Sequence, residues 1–344
     1  MNLKTIHNVY FIGIGGIGMS AIARYFSMNG KKVAGYDKTP SPITKSLEEI
    51  GIEIHFEDTV KNIPLSFLEK EKTLVVYTPA VPKEHQELNY FIKNDFVILK
   101  RAEILGEITK NTFCLAVAGT HGKTTTSSIL GHIMQPKKAT SFLGGIAENY
   151  NSNLILGEDK VSVVEADEFD RSFLKLSPNI ACVTSMDADH LDIYGESEAL
   201  QQSFRDFANE VSDTLIVAYG IPLNGLTYGV DEAANYRVYN IRIDAGKYVF
   251  DVQTPTSEVK DIEFHLPGNH NMMNALAALA IADVYGVSLE EIKVQLGTFK
   301  GVQRRFSYKI KTEDEFTFEN ATVSNTAHTG TNAIVVSNNT NQWQ

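Results

Sequence analysis

Two glycine-rich segments constrain this chain more than anything else in it. Each stands between an apolar run and a helix-forming run. The first is Gly13-Ile14-Gly15-Gly16-Ile17-Gly18, between a strand predicted over 9–14 and a helix predicted over 17–28. The second is Gly119-Thr120-His121-Gly122-Lys123-Thr124-Thr125, directly after a strand predicted over 113–118. A strand that delivers the chain to a tight turn, followed by a helix that packs back, is the crossover unit of a parallel sheet. Two such units, one starting near residue 8 and one near 113, predict two successive α/β domains.

The rest of the pattern fills in around them. Strands are expected over 32–36 and 73–78, with a helix around 41–50 and a helical connector over 100–106. The second unit continues with strands over 161–164 and 180–184, each running into acidic residues, and an Ala-rich helix over 267–285. Pro136 should end the helix after the second glycine loop early.

Chemistry follows from the residue types. Glycines at 13, 15, 16 and 18 let a phosphate approach the helix N-terminus, and Asp37, at the end of the next strand, suits a ribose hydroxyl. NAD, FAD and UDP-sugars all use related loops. The second loop reads as a phosphate loop with Val117 where the strict pattern has glycine. Its backbone N–H groups would cradle ATP or GTP phosphates. Lys123 would reach the β- and γ-phosphates, and the Thr124 hydroxyl would face Mg²⁺. Glu165, closing its strand, is the expected second Mg²⁺ ligand, with Asp167 and Glu168 behind it. His190 stands among Asp187, Asp189 and Asp192, a setting for a metal or phosphate. Asn271 and Asn274 share a helix face: they either cap the helix or read a base edge. Arg304 and Arg305 form either a surface basic pair or a phosphate clamp.

Composition narrows the partners. Asp and Glu outnumber Lys and Arg by 42 to 31, a net charge of −11, which disfavours general binding to nucleic acid or to an anionic membrane surface. No apolar run approaches the ~18–20 residues of a membrane span. Two cysteines, Cys114 and Cys182, fit a reducing cytoplasm.

In this order, the motifs resemble the ATP-dependent Mur ligases of peptidoglycan synthesis. The residues that carry the resemblance are GIGGIGMSAIA at 13–23, GTHGKTTT at 119–126, VEADE at 164–168, DADHLD at 187–192, LPGNHNMMNALAA at 266–278 and GVQRRF at 301–306. The fold so implied is α/β: a Rossmann-like N-terminal domain (1–105) that binds a UDP-sugar, then a phosphate-loop α/β ATPase-type central domain (106–311). The branch most resembled joins L-alanine to UDP-N-acetylmuramate through an acyl phosphate, supporting cell-wall assembly, shape and division. The resemblance assigns catalysis to Lys123, Glu165 and His190. It assigns Mg²⁺ to Thr124, Glu165 and His190, and ATP to the 119–125 loop with Asn271, Asn274, Arg304 and Arg305. UDP-sugar contacts fall to Gly13, Gly15, Gly16, Gly18 and Asp37.

One departure shapes the expectation. Family members carry a third α/β domain after this motif, whereas here 38 residues follow Phe306. Residues 312–344 read as an atypical polar tail, of which 320–344 contain no Asp, Glu, Lys or Arg and have at most a weak strand over 333–336. The chain alone is therefore expected to bind UDP-N-acetylmuramate but to ligate L-alanine extremely slowly or not at all. The alternatives are a remnant that only binds, a muropeptide-recycling ligase of the same family, and a nicotinamide oxidoreductase. The last leaves the phosphate loop unexplained.

Overall fold

The structure is a computed structural model, and it describes residues 3–187, 197–244, 246–303, 308–311 and 316–318. The first unit is a five-stranded parallel sheet in the order β3-β2-β1-β4-β5. Its strands are β1 (Asn8–Ile12), β2 (Lys32–Tyr36), β3 (Glu53–His55), β4 (Thr73–Tyr77) and β5 (Val97–Lys100). β1 is buried at every residue, as a central parallel strand covered on both faces must be. The sheet order turns back between β1 and β4, and that is where an open α/β sheet leaves a crevice at its strand ends.

Helices α1 (Ile17–Met28), α2 (Pro42–Glu48) and α3 (Gln86–Lys93) flank this sheet. α2 begins at Ser41, whose hydroxyl accepts from the Thr44 N–H while the Thr44 hydroxyl takes the Ser41 N–H. Helix α4 (Arg101–Thr109) is the connector to the second unit, somewhat longer than expected.

The second unit holds a ten-stranded sheet in the order β15-β14-β13-β12-β11-β10-β6-β9-β7-β8. The parallel centre consists of β6 (Phe113–Ala118), β7 (Ala139–Ala147), β9 (Glu158–Glu165), β10 (Ile180–Val183), β11 (Thr214–Ala218) and β12 (Leu226–Gly229). β8 (Ser152–Ile155) adds antiparallel to β7. At the far side β13 (Tyr236–Asp244), β14 (Lys247–Gln253) and β15 (Glu258–Phe264) form an antiparallel extension that no sequence motif announced.

Helix α5 (Lys123–Ile133) ends just before Pro136, as the sequence predicts, and β7 starts two residues after a short 3-10 turn at Gln135–Lys137. α6 spans Ser197–Asn209. The Ala-rich helix α7 (Asn269–Tyr285) is buried without interruption from Ala275 to Ala282 and packs against both α5 and the sheet. Alanine is the residue that lets a helix sit this close to both. α8 (Leu289–Thr298) follows, opened by a Ser288–Glu291 capping box. Strands Tyr308–Lys311 and Phe316–Phe318 pair antiparallel. The remainder of the polar tail, including the strand expected over 333–336, lies outside the described residues.

The two units share a core. One apolar cluster runs from Val9 and Phe11 of the first sheet and Ile22 of α1 into Phe142, Leu154 and Val164 of the second sheet. Polar contacts fix the seam. The buried Asn153 amide donates to the Ile17 carbonyl at 2.5 Å and to Ser20 Oγ at 2.8 Å, and Tyr25 donates to Asp159 at 3.2 Å.

Candidate active site

The first loop is built by closing β1 onto α1. Gly13 takes φ +87°, a conformation that disfavours any side chain. The N–H groups of Gly13 and Ile14 both donate to the Tyr36 carbonyl, at 2.8 and 3.0 Å. The Gly15 N–H donates to Asp37 Oδ2 at 2.7 Å, and Asp37 Oδ1 accepts from the Thr39 N–H at 3.3 Å. Asp37 therefore reaches the loop, and part of its carboxylate fixes the loop's shape.

Beneath this loop lies a buried polar cluster that sequence reasoning missed. The Tyr10 hydroxyl donates to Glu87 Oε2 at 2.7 Å and meets His55 Nε2 at the same distance. The Thr59 N–H donates to Glu87 Oε1 at 3.2 Å. Burial pushes the Glu87 carboxyl up to about 7, and burial also lowers the His55 imidazole. These residues come from β1, β3 and α3, so no local pattern joins them.

The second loop departs from β6 and enters α5 at Gly122, which has φ +80°. A Cβ there would lie 2.6 Å from Asn274 Oδ1, so glycine is required twice over. The loop is held from behind by the end of β10. The Thr120 N–H donates to the Ser185 carbonyl at 3.2 Å, and the His121 N–H donates to Ser185 Oγ at 2.8 Å. Thr184 Oγ1 donates to the Ala118 carbonyl at 3.1 Å. Thr184 and Ser185 are positioning residues that the sequence offered no motif for. The first-turn N–H groups of α5 face the mouth of this loop, as helix geometry dictates.

Lys123 lies inside the loop. Its ammonium is 2.7 Å from Glu168 Oε2 and 2.9 Å from Oε1, and Glu168 is 2% exposed. Glu165 sits beside it. Its Oε1 accepts from Thr124 Oγ1 at 3.1 Å, and its Oε2 accepts from the Gly144 N–H at 3.1 Å and Ser127 Oγ at 3.4 Å. A hydroxyl and a carboxylate meet here next to the second glycine loop. That is an all-oxygen donor pair, the chemistry that suits Mg²⁺.

Of the two amides on α7, Asn274 accepts from Thr126 Oγ1 at 3.2 Å against Gly122. Asn271 is buried and donates to the Pro267 carbonyl at 2.7 Å. Asn274 thus meets the loop directly, whereas Asn271 ties the start of its own helix. His190, Arg304 and Arg305 lie outside the described residues.

Between the loops stands Arg101, at the start of α4. Its guanidinium donates to Asp167 at 2.8 Å. Asp167 is two residues from Glu165 and next to Glu168.

Comparison with known proteins agrees with this layout. Residues 8–112 match the family described as Mur ligase family, catalytic domain, and residues 117–282 match the Mur ligase middle domain. A Flavobacterium psychrophilum protein named UDP-N-acetylmuramate–L-alanine ligase is 61% identical over 315 residues. The match covers 90% of this chain and 70% of that protein. A Flavobacterium johnsoniae protein of the same name is 60% identical, covering 91% and 70%. A UDP-N-acetylmuramate–alanine ligase structure from Thermotoga maritima superposes with TM-score 0.79 at 28% identity, covering 89% of this chain and 71% of that one.

Proposed function

This chain belongs to the Mur ligase family, and on that premise we propose that it joins L-alanine to UDP-N-acetylmuramate at the expense of ATP, a step of peptidoglycan synthesis. The observation that carries the reading is the pair of glycine loops in one seam-packed body, one closed by a carboxylate and the other carrying Lys123.

The chemistry proceeds as follows. A muramate carboxylate oxygen attacks the γ-phosphorus of ATP, and ADP leaves. The resulting acyl phosphate is attacked by the alanine amine, the C–O bond breaks, and inorganic phosphate departs as the amide forms. A carboxylate resists amines until it carries a leaving group, so the first step makes the second possible. Phosphoryl transfer asks for positioning and charge neutralisation rather than a protein nucleophile. We assign the UDP-sugar to Gly13, Gly15, Gly16, Gly18 and Asp37, whose carboxylate keeps lone pairs for a sugar hydroxyl. ATP is assigned to residues 119–125 with Asn271, Asn274, Arg304 and Arg305. Lys123 would exchange Glu168 for the β- and γ-phosphates. Thr124 and Glu165 would hold one Mg²⁺ and His190 another; bound Mg²⁺ supplies neutralisation of phosphate charge. Two buried free cysteines support a cytoplasmic setting, and no helix among the described residues is long and apolar enough to cross a membrane.

The test is phosphate release from ATP in the presence of UDP-N-acetylmuramate, with and without L-alanine. Alanine-dependent release, however slow, is the result that supports the ligase reading. Release that ignores L-alanine but responds to a muropeptide would shift the assignment to the recycling branch.

A further inference from the structure

Arg101 occupies a position that helix electrostatics disfavours. A Cβ placed on Gly18 would lie 2.5 Å from one terminal nitrogen of its guanidinium and 3.2 Å from its Cδ, so the side chain lies against the first turn of α1. That turn carries the positive end of the helix dipole, where anions are stabilised and cations are not. A glycine at 18 is what admits a guanidinium at this spot. The terminal nitrogen nearest Gly18 is not the one that donates to Asp167. Arg101 is thus anchored to Asp167 on one side and faces the glycine loop on the other. Two positive ends converge on the mouth of the loop, which is an arrangement that attracts a strongly charged anion.

Building on the assignment of the UDP-sugar to this loop, we propose that Arg101 is a positioning residue for its diphosphate, held in place by Asp167. Five N–H donors in a rigid fork allow one edge to stay on the carboxylate while the other takes phosphate oxygens. The same bond fixes the sugar-nucleotide relative to the acidic stretch 165–168, which carries the partners of Thr124 and Lys123.

The experiment titrates UDP and uridine into the full chain and its Arg101→Gln, Arg101→Lys and Asp167→Asn variants by calorimetry. Melting temperature and ATP affinity serve as folding controls. Arg101→Gln should weaken UDP at least tenfold and leave uridine, which has no phosphate, within twofold. Arg101→Lys should recover part of the loss, and Asp167→Asn should cost UDP several-fold. An Arg101→Gln variant that binds UDP as the parent does would overturn the proposal while leaving the loop assignment intact. Equal losses for UDP, uridine and ATP in both Arg101 variants would also overturn it, reducing Arg101 to a structural role. A parent chain that binds ATP but not UDP would refute the loop assignment itself.

Discussion

The two glycine loops start from nearly the same grammar and end in different chemistry. Both leave a buried parallel strand, turn through positive-φ glycine and enter a helix. In the first, protein acceptors take the loop's own N–H groups: the Tyr36 carbonyl takes two and the Asp37 carboxylate one. In the second, the closing contacts come from behind, from Ser185, and the mouth holds a cation beside two carboxylates. Glycine spacing therefore specifies a turn and an approach, while the residue that follows the last glycine specifies the load. After Gly122 comes Lys123, which on our reading serves a triphosphate; after Gly18 comes Met19, which leaves the first loop to backbone groups and Arg101.

The sharpest test of that contrast is Lys123→Ala. Charge-assisted bonds contribute about 1.5–3 kcal/mol each, so ATP affinity should fall at least tenfold by calorimetry, with UDP affinity unchanged. A parallel loss of both would erase the division of labour. Gly15→Val should do the reverse. Its Cβ would lie 2.8 Å from both Asp37 Oδ2 and Thr44 Cγ2, crowding the first loop. UDP-N-acetylmuramate binding should drop severalfold or more, and ATP binding should persist.

A smaller effect separates the loops by stability. Asp37→Asn weakens the bond to the Gly15 N–H, a partly exposed contact, and should lower stability by about 1 kcal/mol or less, read as a shift in denaturant midpoint. Thr39 and Gly15 amide exchange should quicken with it.

Another contrast is in pH. His132, in the second unit, bonds Tyr150 at 2.7 Å and Thr298 at 2.9 Å, and burial lowers it to about 4. Its folded-state pKa lies below the unfolded value, so the unfolded chain binds more protons. Its stabilisation is present above about 6.5 and is lost as pH falls toward 4. Glu87, in the first unit, is raised from 4.5 to about 7, so its contribution is present below 4.5 and is lost as pH rises to about 7. His132→Gln should flatten the acid side of the stability profile, and Glu87→Gln the side between pH 4.5 and 7. Denaturant titration at pH 4.5, 5.5 and 7 checks both.

Much of this was legible because it is local. The strand over 32–36, the helix over 17–28 and the strand over 113–118 appear where the apolar spacing puts them. Glu165 closes its strand and meets Thr124, as a carboxylate in that position should. What stayed hidden is what the fold brings together from far away. Ser185 meets His121 across 64 residues and Arg101 meets Asp167 across 66. Asn153 reaches Ser20 across 133. None of these partners has a spacing to betray it. The antiparallel strands β13–β15 escape sequence reasoning for another reason: their burial alternates only in part, broken by register shifts, and they carry no chemistry to draw notice.

The alanines of α7 have a consequence for heredity as well as for packing. From Ala275 to Ala282 every residue is enclosed, the helix packs against both α5 and the sheet, and it also brings Asn274 against Gly122. A bulkier side chain anywhere in that run must push the helix away, and Asn274 moves with it. In a saturation library this stretch should read as a band intolerant of change. The distance from the core to the second glycine loop is written in methyl groups.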